Sequence, residues 1–514
     1  MSRNVFNSVA VKRPSRNTFA LNHDFKFSCD MGELIPVLCS DVLPGDVWRL
    51  RSQPLNRFAP MLAPIMHSVN VHLHCFFVPN RIVWPNWEDF ISPPKANSTP
   101  PAHPFINAQF GSGAVWQKGS LADYLGLPVQ QSSVGVVTPV NAIPFAAYQK
   151  IWNEYYRDQN LQGEVTDTLT NGSNAGAVLA TLRNRSWMHD YFTGSLPFAQ
   201  KGAAVSIPVD FDGEAPVYRN NSTAATFNLT GSSTPATGTT ASVANIQSSL
   251  GQQPNSLYVD LSSAGAVNSG TINDLRTAMR TQEFLERQAR GGSRYIEQIR
   301  MQFGVKSSDA RLQRPEYIGG VSSPVIISEV LQTSETTGSG TPQATMAGHG
   351  YSASKGYNMR YYAEEHGYIF VIMSVTPKTA YQQGIPRHFS RRDMYDYAWP
   401  VLAHIGEQEV LNKELYVAND GQNENTFGYV PRYSEYRYIP SHVAGDFRDN
   451  LNFWHLGRTF ANRPQLNADF VQIKPVDTKR IFAVQDANID SLWCHVFFDL
   501  RVSRLLPKYG TPTL

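Results

Sequence analysis

Two short stretches place ionisable side chains where they could act together in catalysis or metal binding. His72 and His74 alternate with apolar residues, so they would share one face of a strand, as two ligands of one metal ion require. Glu364, Glu365 and His366 are consecutive and could form an acid–base cluster. However, no spacing selects a third ligand for the histidines, and consecutive strand residues point to opposite faces. We therefore predict neither a catalytic site nor a metal site.

The sequence also lacks the motifs of the common catalytic sites. It contains no GxxxxGK[ST] phosphate loop, no HExxH zinc motif, no GxSxG nucleophile elbow and no GxGxxG turn. Its four cysteines form no CxxC pair and are too few for a disulfide framework: Cys29, Cys39, Cys75 and Cys494. We predict free thiols, no cofactor and no enzymatic activity.

Arginine and aromatic residues alternate in residues 387–392 and 432–438, and residues 276–314 are rich in arginine. Arg and Tyr suit stacking on unpaired bases, but they are also enriched at the centres of protein–protein interfaces. We favour the interface because acidic partners accompany these stretches. Two further aromatic segments supply candidate interface anchors, for which a core role is the alternative: Trp84, Trp87 and Phe90, and Tyr395, Tyr397 and Trp399.

The first twenty residues carry four basic residues and no acidic one: Arg3, Lys12, Arg13 and Arg16. A short basic arm of this kind could contact nucleic-acid phosphates, although a solvated terminus has the same composition. The formal net charge of the chain is only +2, so any affinity for nucleic acid must be local.

The composition predicts a β-rich globular protein. Charged residues make up 17% and aromatic residues 11%, with 33 Pro and 36 Gly, which excludes a disordered chain and suits strands joined by turns. The N-terminal residues have no apolar core of a signal peptide, and the longest apolar run, 368–373, is too short to span a bilayer. We expect synthesis in the cytoplasm and no membrane insertion.

Hydrophobic periodicity predicts where strands and helices lie. Period-two alternation predicts long strands at 19–27, 69–75 and 492–503, and an apolar run predicts a strand buried on both faces at 368–375. We expect the first and last strands to share one sheet system. Helices are predicted at 120–125 and 144–157, from Thr271 to about Gly291, and around Ile296 to Phe303. In the third helix, the residues predicted to point inward are Ile272, Leu275 and Met279.

From Asp212 to Gly270 the chain is mostly Ser, Thr, Ala, Gly, Asn and Gln, with almost no charge. Such a composition is typical of a linker or of a long surface excursion from a rigid scaffold. We therefore divide the chain into a basic arm (1–20), a first scaffold part (21–211), a polar surface insertion (212–270) and a second scaffold part (271–514).

Several long blocks of sequence resemble the major capsid proteins of the Microviridae, the small single-stranded DNA phages, and above all their gokushovirus-like branch. The first blocks are GELIPVLCSDVLPGDVWRLRSQ and FFVPNRIVWPNWEDFI. Further blocks are spread along the chain outside 212–270: 143–160, 185–202, 272–320, 365–416 and 427–448.

The resemblance implies an eight-stranded antiparallel jelly-roll β-sandwich with long loop insertions and a few helices. It also implies a T=1 icosahedral shell of about sixty copies around circular single-stranded DNA. The insertion 212–270 would form a protrusion at the threefold axes that contacts a host surface receptor. Family partners would be an internal scaffolding protein, a DNA pilot protein and a small basic DNA-binding protein, and the virion would assemble in the cytoplasm of the host bacterium.

Two other classes of protein remain as alternatives. A β-sandwich lectin or adhesin could bind sugars through the 212–270 loops, but it would be a monomer or small oligomer with a secretion signal. A β-rich hydrolase would need converging carboxylates, and no spacing selects such a pair.

Overall fold

The structure, a computed structural model, describes residues 15–92, 99–110, 116–129, 136–203, 205, 209–211, 217–219, 257–259, 267–269, 272–292, 294–331, 346–354 and 356–509. The chain divides into two compact units. One consists of residues 1–199 and 290–514, and the other of residues 200–289.

The strands, in chain order, are β1 (Asn17–Ala20), β2 (His23–Cys29), β3 (Ile35–Val42), β4 (Val47–Phe58), β5 (Val69–Pro79), β6 (Phe105–Phe110), β7 (Val136–Asn141), β8 (Ser173–Asn174), β9 (Val209–Phe211), β10 (Val217–Arg219), β11 (Leu257–Val259), β12 (Val267–Ser269), β13 (Glu316–Pro324), β14 (Ile326–Leu331), β15 (Met346–Ala353), β16 (Asn358–Tyr362), β17 (Gly367–Pro377), β18 (Glu407–Leu411), β19 (Thr426–Pro431) and β20 (Leu492–Arg504). The α-helices are α1 (Asn80–Val83), α2 (Trp87–Ile91), α3 (Leu121–Tyr124), α4 (Ile143–Ile151), α5 (Gly176–Leu179), α6 (Ile272–Gly291), α7 (Tyr295–Phe303), α8 (Asn412–Leu415), α9 (Ala468–Val471) and α10 (Pro475–Thr478).

Two antiparallel sheets form the scaffold of the larger unit. The first has seven strands: β1, β20, β4, β15 and β14 follow one another, with β2 also paired to β20 and β16 also paired to β4. The second has four strands in the order β13, β5, β17, β3. The predicted mainly-β antiparallel sandwich is confirmed. The jelly roll of eight strands stays a prediction; the two sheets described here contain seven and four strands.

The core between the two sheets forms because the strands of the first sheet alternate in polarity and turn their buried residues toward the second sheet. In β20 the buried residues Leu492, Val496 and Leu500 alternate with more exposed ones, and β20 pairs with β4 from Leu492↔Phe58 to Ser503↔Val47. β1 and β2 both pair with β20, so the first and last strands share one sheet as predicted. The predicted strand 19–27 is interrupted at Leu21 and Asn22, which lie between β1 and β2.

The second sheet is covered on both faces. The strand predicted to be buried on both faces is confirmed as β17, in which nearly every residue is buried. The outer face of this sheet packs on α4, whose apolar residues Phe145, Tyr148 and Ile151 are at most 1% exposed. The helix predicted at 144–157 is thus confirmed, with a π-helical end at Trp152–Tyr156.

Two further predicted helices, α3 and α7, lie in the connections between strands. Ser120 caps α3 by accepting a hydrogen bond from the Asp123 amide at 3.4 Å, and the chain leaves the helix at Gly126 with φ of 86°. α7 matches the helix predicted around Ile296 to Phe303.

The third predicted helix exists as α6, but its predicted inward face is wrong. Ile272 is 71% exposed, Leu275 42% and Met279 65%. An amphipathic stripe shows that a helix has a partner without showing that the partner belongs to the same chain.

A third apolar cluster supports the β18–β19 hairpin. It joins Tyr191 and Phe192 to Val410, Val430 and other buried side chains. β18 and β19 pair antiparallel from Glu407↔Pro431 to Leu411↔Thr426. The loops that precede β18 and follow β19 are therefore attached to a packed hairpin.

The smaller unit, residues 200–289, contains the predicted insertion. Its described strands form two nested antiparallel pairs, β9 with β12 and β10 with β11. Because Phe211 pairs with Val267, the strands at the two ends of the insertion lie side by side. The rest of 212–270 lies outside the described residues.

Candidate subunit interface

The aromatic residues of segment 84–90 belong largely to the interior. Trp84 is fully buried, packs among the second-sheet cluster, and donates its indole N–H to Asn171 Oδ1 at 2.9 Å. A side chain covered by its own chain cannot anchor a neighbour, so the interface prediction is wrong for Trp84 and the core alternative holds. Trp87 and Phe90 are half-buried against Trp84, and their contact with a neighbour stays a prediction.

The aromatic residues of segment 395–399 lie at the surface instead. Tyr395 is 58% exposed, Tyr397 53% and Trp399 50%. Tyr395 lies in the short 3₁₀ turn Met394–Asp396, whereas Tyr397 and Trp399 lie between this turn and the next one, Pro400–His404. Loops of this kind project from a scaffold and often carry recognition.

Hydrogen bonds from the backbone fix this loop in place. The amide of Trp399 donates to the Tyr433 hydroxyl at 3.2 Å, and that of Ala398 donates to the Tyr436 hydroxyl at 3.3 Å. The Trp399 indole N–H donates to the Met394 carbonyl oxygen at 2.9 Å. The structure thus brings together two aromatic segments that are separate in the sequence.

Arginine side chains lie between these rings. The guanidinium of Arg391 lies 4.5 Å from the ring centre of Tyr436 and 5.3 Å from that of Tyr397. Arg432 lies 5.0 Å from the ring centre of Tyr433. Cation–π contacts of this kind are worth roughly 0.5–2 kcal/mol each. The basic-aromatic stretches 387–392 and 432–438 therefore stack on each other, which leaves fewer of their rings free for nucleic-acid bases.

Beneath the rings lies a buried ion-pair network. Glu435 lies 3.6 Å from Arg391 and 3.8 Å from Arg387, and Arg387 lies 3.0 Å from Glu414. Glu414 also accepts hydrogen bonds from the Tyr191 hydroxyl and the Leu411 amide, both at 2.9 Å. Burial raises the pKa of Glu414, while the neighbouring Arg387 opposes that rise. The network ties the loop to the β18–β19 hairpin.

We call the outer face of residues 385–405 and 436–439 the aromatic surface. Its large apolar side chains are exposed to between 38% and 89%: Ile385, Phe389, Met394, Tyr395, Tyr397, Trp399, Val401, Ile405, Tyr436 and Ile439. Large exposed apolar patches are uncommon on monomeric proteins, so the aromatic surface is the candidate subunit interface. Beside it lies a groove of about 620 Å³, lined by residues including Phe389, Tyr438 and Ile439.

The two histidines considered for metal binding each have a polar partner. His72 Nε2 lies 2.9 Å from Thr376 Oγ1, and His74 Nδ1 lies 2.8 Å from the Tyr156 hydroxyl. Burial lowers the pKa of His72 to about 3 and that of His74 to about 4. Among the described residues, no group of three or more His, Cys, Asp or Glu side chains is placed to hold a metal ion.

The second ionisable stretch is dispersed. Glu365 pairs with Arg81, its carboxylate oxygens lying 2.7 and 3.0 Å from the guanidinium. The ring of His366 instead packs edge-on against Trp87. These side chains therefore do not converge on one reacting position.

Of the four basic residues in the N-terminal arm, only Arg16 lies within the described residues. Its guanidinium donates to the Gly45 carbonyl oxygen at 2.8 Å. Arg3, Lys12 and Arg13 fall outside that part of the chain. Contact between the arm and nucleic acid remains a prediction.

Sequence reasoning missed the support of the aromatic surface. Glu414 and Gln408 gave no signal, because their contacts connect segments that are distant in sequence. An Arg-rich stretch facing acidic residues across a hairpin was the only available hint.

Over the described residues, no helix combines the length and apolarity that a bilayer crossing needs.

A β-sandwich with a large exposed aromatic surface on rigid loops defines a protein that builds assemblies. Comparison with known proteins agrees. The family model of the "Capsid protein (F protein)" matches residues 7–514. The chain is 34% identical to capsid protein VP1 of Chlamydia phage 1, over 100% of this chain and 98% of the relative.

Two further relatives match over nearly their whole length. Capsid protein VP1 of Bdellovibrio phage phiMH2K is 33% identical over 98% of this chain and 96% of its own. Capsid protein VP1 of Spiroplasma virus 4 is 32% identical over 97% and 95%. The chain belongs to the phage capsid protein (F protein) family, so the family predicted from its sequence is confirmed. It is a major capsid protein, a structural component of the virion and not an enzyme, and it assembles into a shell.

Proposed function

We propose that the aromatic surface is the principal contact between copies in a T=1 icosahedral shell of about sixty subunits. The observation that carries the proposal is the exposure of Tyr395, Tyr397 and Trp399 on loops fixed from below by buried ion pairs. Interface centres are rich in Tyr, Trp and Arg, and this surface contains all three.

Rigidity of the surface supports the same proposal. Association loses side-chain freedom, at a cost of about 0.5–1.5 kcal/mol for each side chain that becomes ordered. Arg391 is already held between Tyr397 and Tyr436, and Trp399 already has its indole hydrogen bond. Fewer degrees of freedom are therefore lost when a neighbouring copy binds.

Replacing Trp399 by Ala tests this proposal. Removing an interface anchor costs on the order of 2 kcal/mol per contact, which raises the concentration needed for assembly roughly thirtyfold. We expect the variant to remain folded by circular dichroism but to sediment as unassembled protein where the unchanged chain forms shells.

Trp493→Ala is the matched control. Trp493 is 51% exposed, as Trp399 is, but it lies on β20 outside the aromatic surface. We expect this control to form shells. Shells formed by Trp399→Ala at unchanged protein concentration would refute the proposal.

For the genome, we propose that Arg3, Lys12, Arg13 and Arg16 contact circular single-stranded DNA through its phosphates, independently of sequence. Four such contacts give a log–log salt dependence of affinity with a slope of roughly −3. An internal scaffolding protein, a DNA pilot protein and a small basic DNA-binding protein are the further partners we propose, with assembly in the host cytoplasm.

For host attachment, we propose residues 212–270 as a protrusion at the threefold axes that contacts a host surface receptor. The nested pairs β9–β12 and β10–β11 support this role, because they hold the insertion as a unit with a paired base. Particles lacking residues 220–256 should still assemble but should no longer adsorb to host cells. Unchanged adsorption would refute this role.

A further inference from the structure

In the part of the chain that the structure describes, the N-terminal half of α6 is almost entirely exposed. From Ile272 to Thr281 every residue except Ala278 is exposed, and Ala278 is half-buried. Three of them are large and apolar: Ile272, Leu275 and Met279. They are spaced i, i+3 and i+7, so they form one narrow stripe along the helix.

The N-terminal half of α6 lacks the buried apolar face that stabilises most helices in proteins. Isolated helices shorter than about twelve residues are marginal in water, because most helical stability in proteins comes from burial of an apolar face. The polar pairs of the helix join Glu283, in its C-terminal half, to Arg287 at 2.5 Å and to Arg280, at the end of the N-terminal half, at 2.6 Å. The apolar stripe lies off these pairs and has no comparable support.

We propose that this stripe packs against the same stripe of neighbouring copies in the assembled shell, with the helices parallel around a symmetry axis. The proposal rests on shell assembly, which presents identical surfaces to one another wherever a rotation axis passes. A stripe only two residues wide per turn matches the seam of a helix pair or bundle, whereas burial in a globular core uses a wider face.

The charges that flank the stripe favour the parallel orientation. If Ile272, Leu275 and Met279 occupy the a, d and a positions of a heptad, Arg276 and Glu283 occupy e positions and Ala278 a g position. Parallel packing then places Glu283 opposite a neutral alanine. Antiparallel packing that aligns the three apolar residues would bring two copies of Arg276 together, which like charges oppose.

Cysteine cross-linking in assembled particles of the full chain tests the proposal. In parallel packing around an axis, each residue of the stripe meets its own copy. Particles of Leu275→Cys or Met279→Cys should therefore give disulfide-linked dimers on a non-reducing gel after mild oxidation. The matched control is Thr277→Cys, which lies on the same helix turned away from the stripe, and it should give none.

The possible results separate this proposal from that of the aromatic surface. Particles of both stripe variants that show no dimers would overturn it, whether the stripe is then covered by the insertion of its own chain or by a different protein. Equal dimer formation by Thr277→Cys would also overturn it, because it would indicate unspecific collision. In both cases, assembly through Trp399 would be unaffected, since particles would still have formed.

Discussion

Glu33 follows the turn after β2, and its carboxylate lies in a largely buried group of acidic side chains. Its Oε2 accepts a hydrogen bond from the Asp30 amide at 2.8 Å, and Asp30 pairs with Lys479 at 3.0 Å. Burial, reinforced by Asp30 and Asp490, raises the pKa of Glu33 from 4.5 to about 7, although the Asp30 amide opposes the rise. The folded protein therefore holds a proton on Glu33 more tightly than the unfolded chain does.

This shift has a defined consequence for stability. Between pH 4.5 and about 7 the folded state binds more protons at Glu33, so the stability that this group contributes below pH 4.5 is lost as the pH rises. At about 1.4 kcal/mol for each pKa unit, the loss approaches about 3 kcal/mol by pH 8. Buried histidines act in the opposite direction, because the lowered pKa values of His67, His72 and His74 make the protein more stable as the pH rises.

Replacing Glu33 by Gln isolates the effect, because the amide oxygen keeps the hydrogen bond from Asp30 while the titration is removed. The histidines contribute equally to both proteins and cancel in the comparison. We expect the melting temperature of the variant, relative to the unchanged protein, to rise by a few degrees between about pH 4 and pH 8, measured by calorimetry. Glu164→Gln, at an exposed position, should show no such trend. A constant difference for Glu33→Gln across the pH range would refute the reasoning.

Three further predictions follow from buried contacts and from the N-terminal arm. Trp84→Ala should lower the free energy of unfolding by about 3–5 kcal/mol in denaturant titrations, whereas the partly exposed Trp87→Ala should cost less. Lys479→Met leaves Asp30 buried without its partner and should cost about 3–5 kcal/mol; a much smaller loss in the double variant with Asp30→Asn would confirm the pairing. Deleting residues 1–16 should remove a salt slope of roughly −3 from single-strand DNA binding measured by fluorescence anisotropy, and an unchanged slope would exclude the arm.

The sandwich could be predicted from sequence because the pattern of apolar and polar residues in a strand depends on which of its faces are buried. The alternation in β20 and the apolar run in β17 each record which faces are buried. The polar face of β5 could not be predicted in this way. Residues 143–156 form a helical layer that contacts His74 and Phe76 on that face, and nothing local to β5 indicates this cover.

The candidate site was partly predictable for a related reason. An exposed aromatic residue and a core aromatic residue have the same side chain, so Trp84 and Trp399 could not be distinguished by type or spacing. Their difference comes from neighbours distant in sequence: residue 171 and the second-sheet cluster for Trp84, and the 433–436 turn for Trp399. The prediction of an inward face for α6 was wrong for the same reason: an apolar stripe has the same sequence pattern whether its partner lies in the same chain or in another.

A capsid protein must keep an apolar surface available before assembly without letting it collapse onto its own core. The aromatic surface meets this requirement through polar supports directly beneath it. Glu414 is a buried carboxylate and Glu435 a partly buried one. Their pairing with Arg387 and Arg391 demands one geometry, because a buried charge without its partner is costly. The loop cannot fold inward without breaking these pairs, so Trp399 and its neighbours stay at the surface. The ion pairs therefore serve the position of the loop more than the stability of the chain.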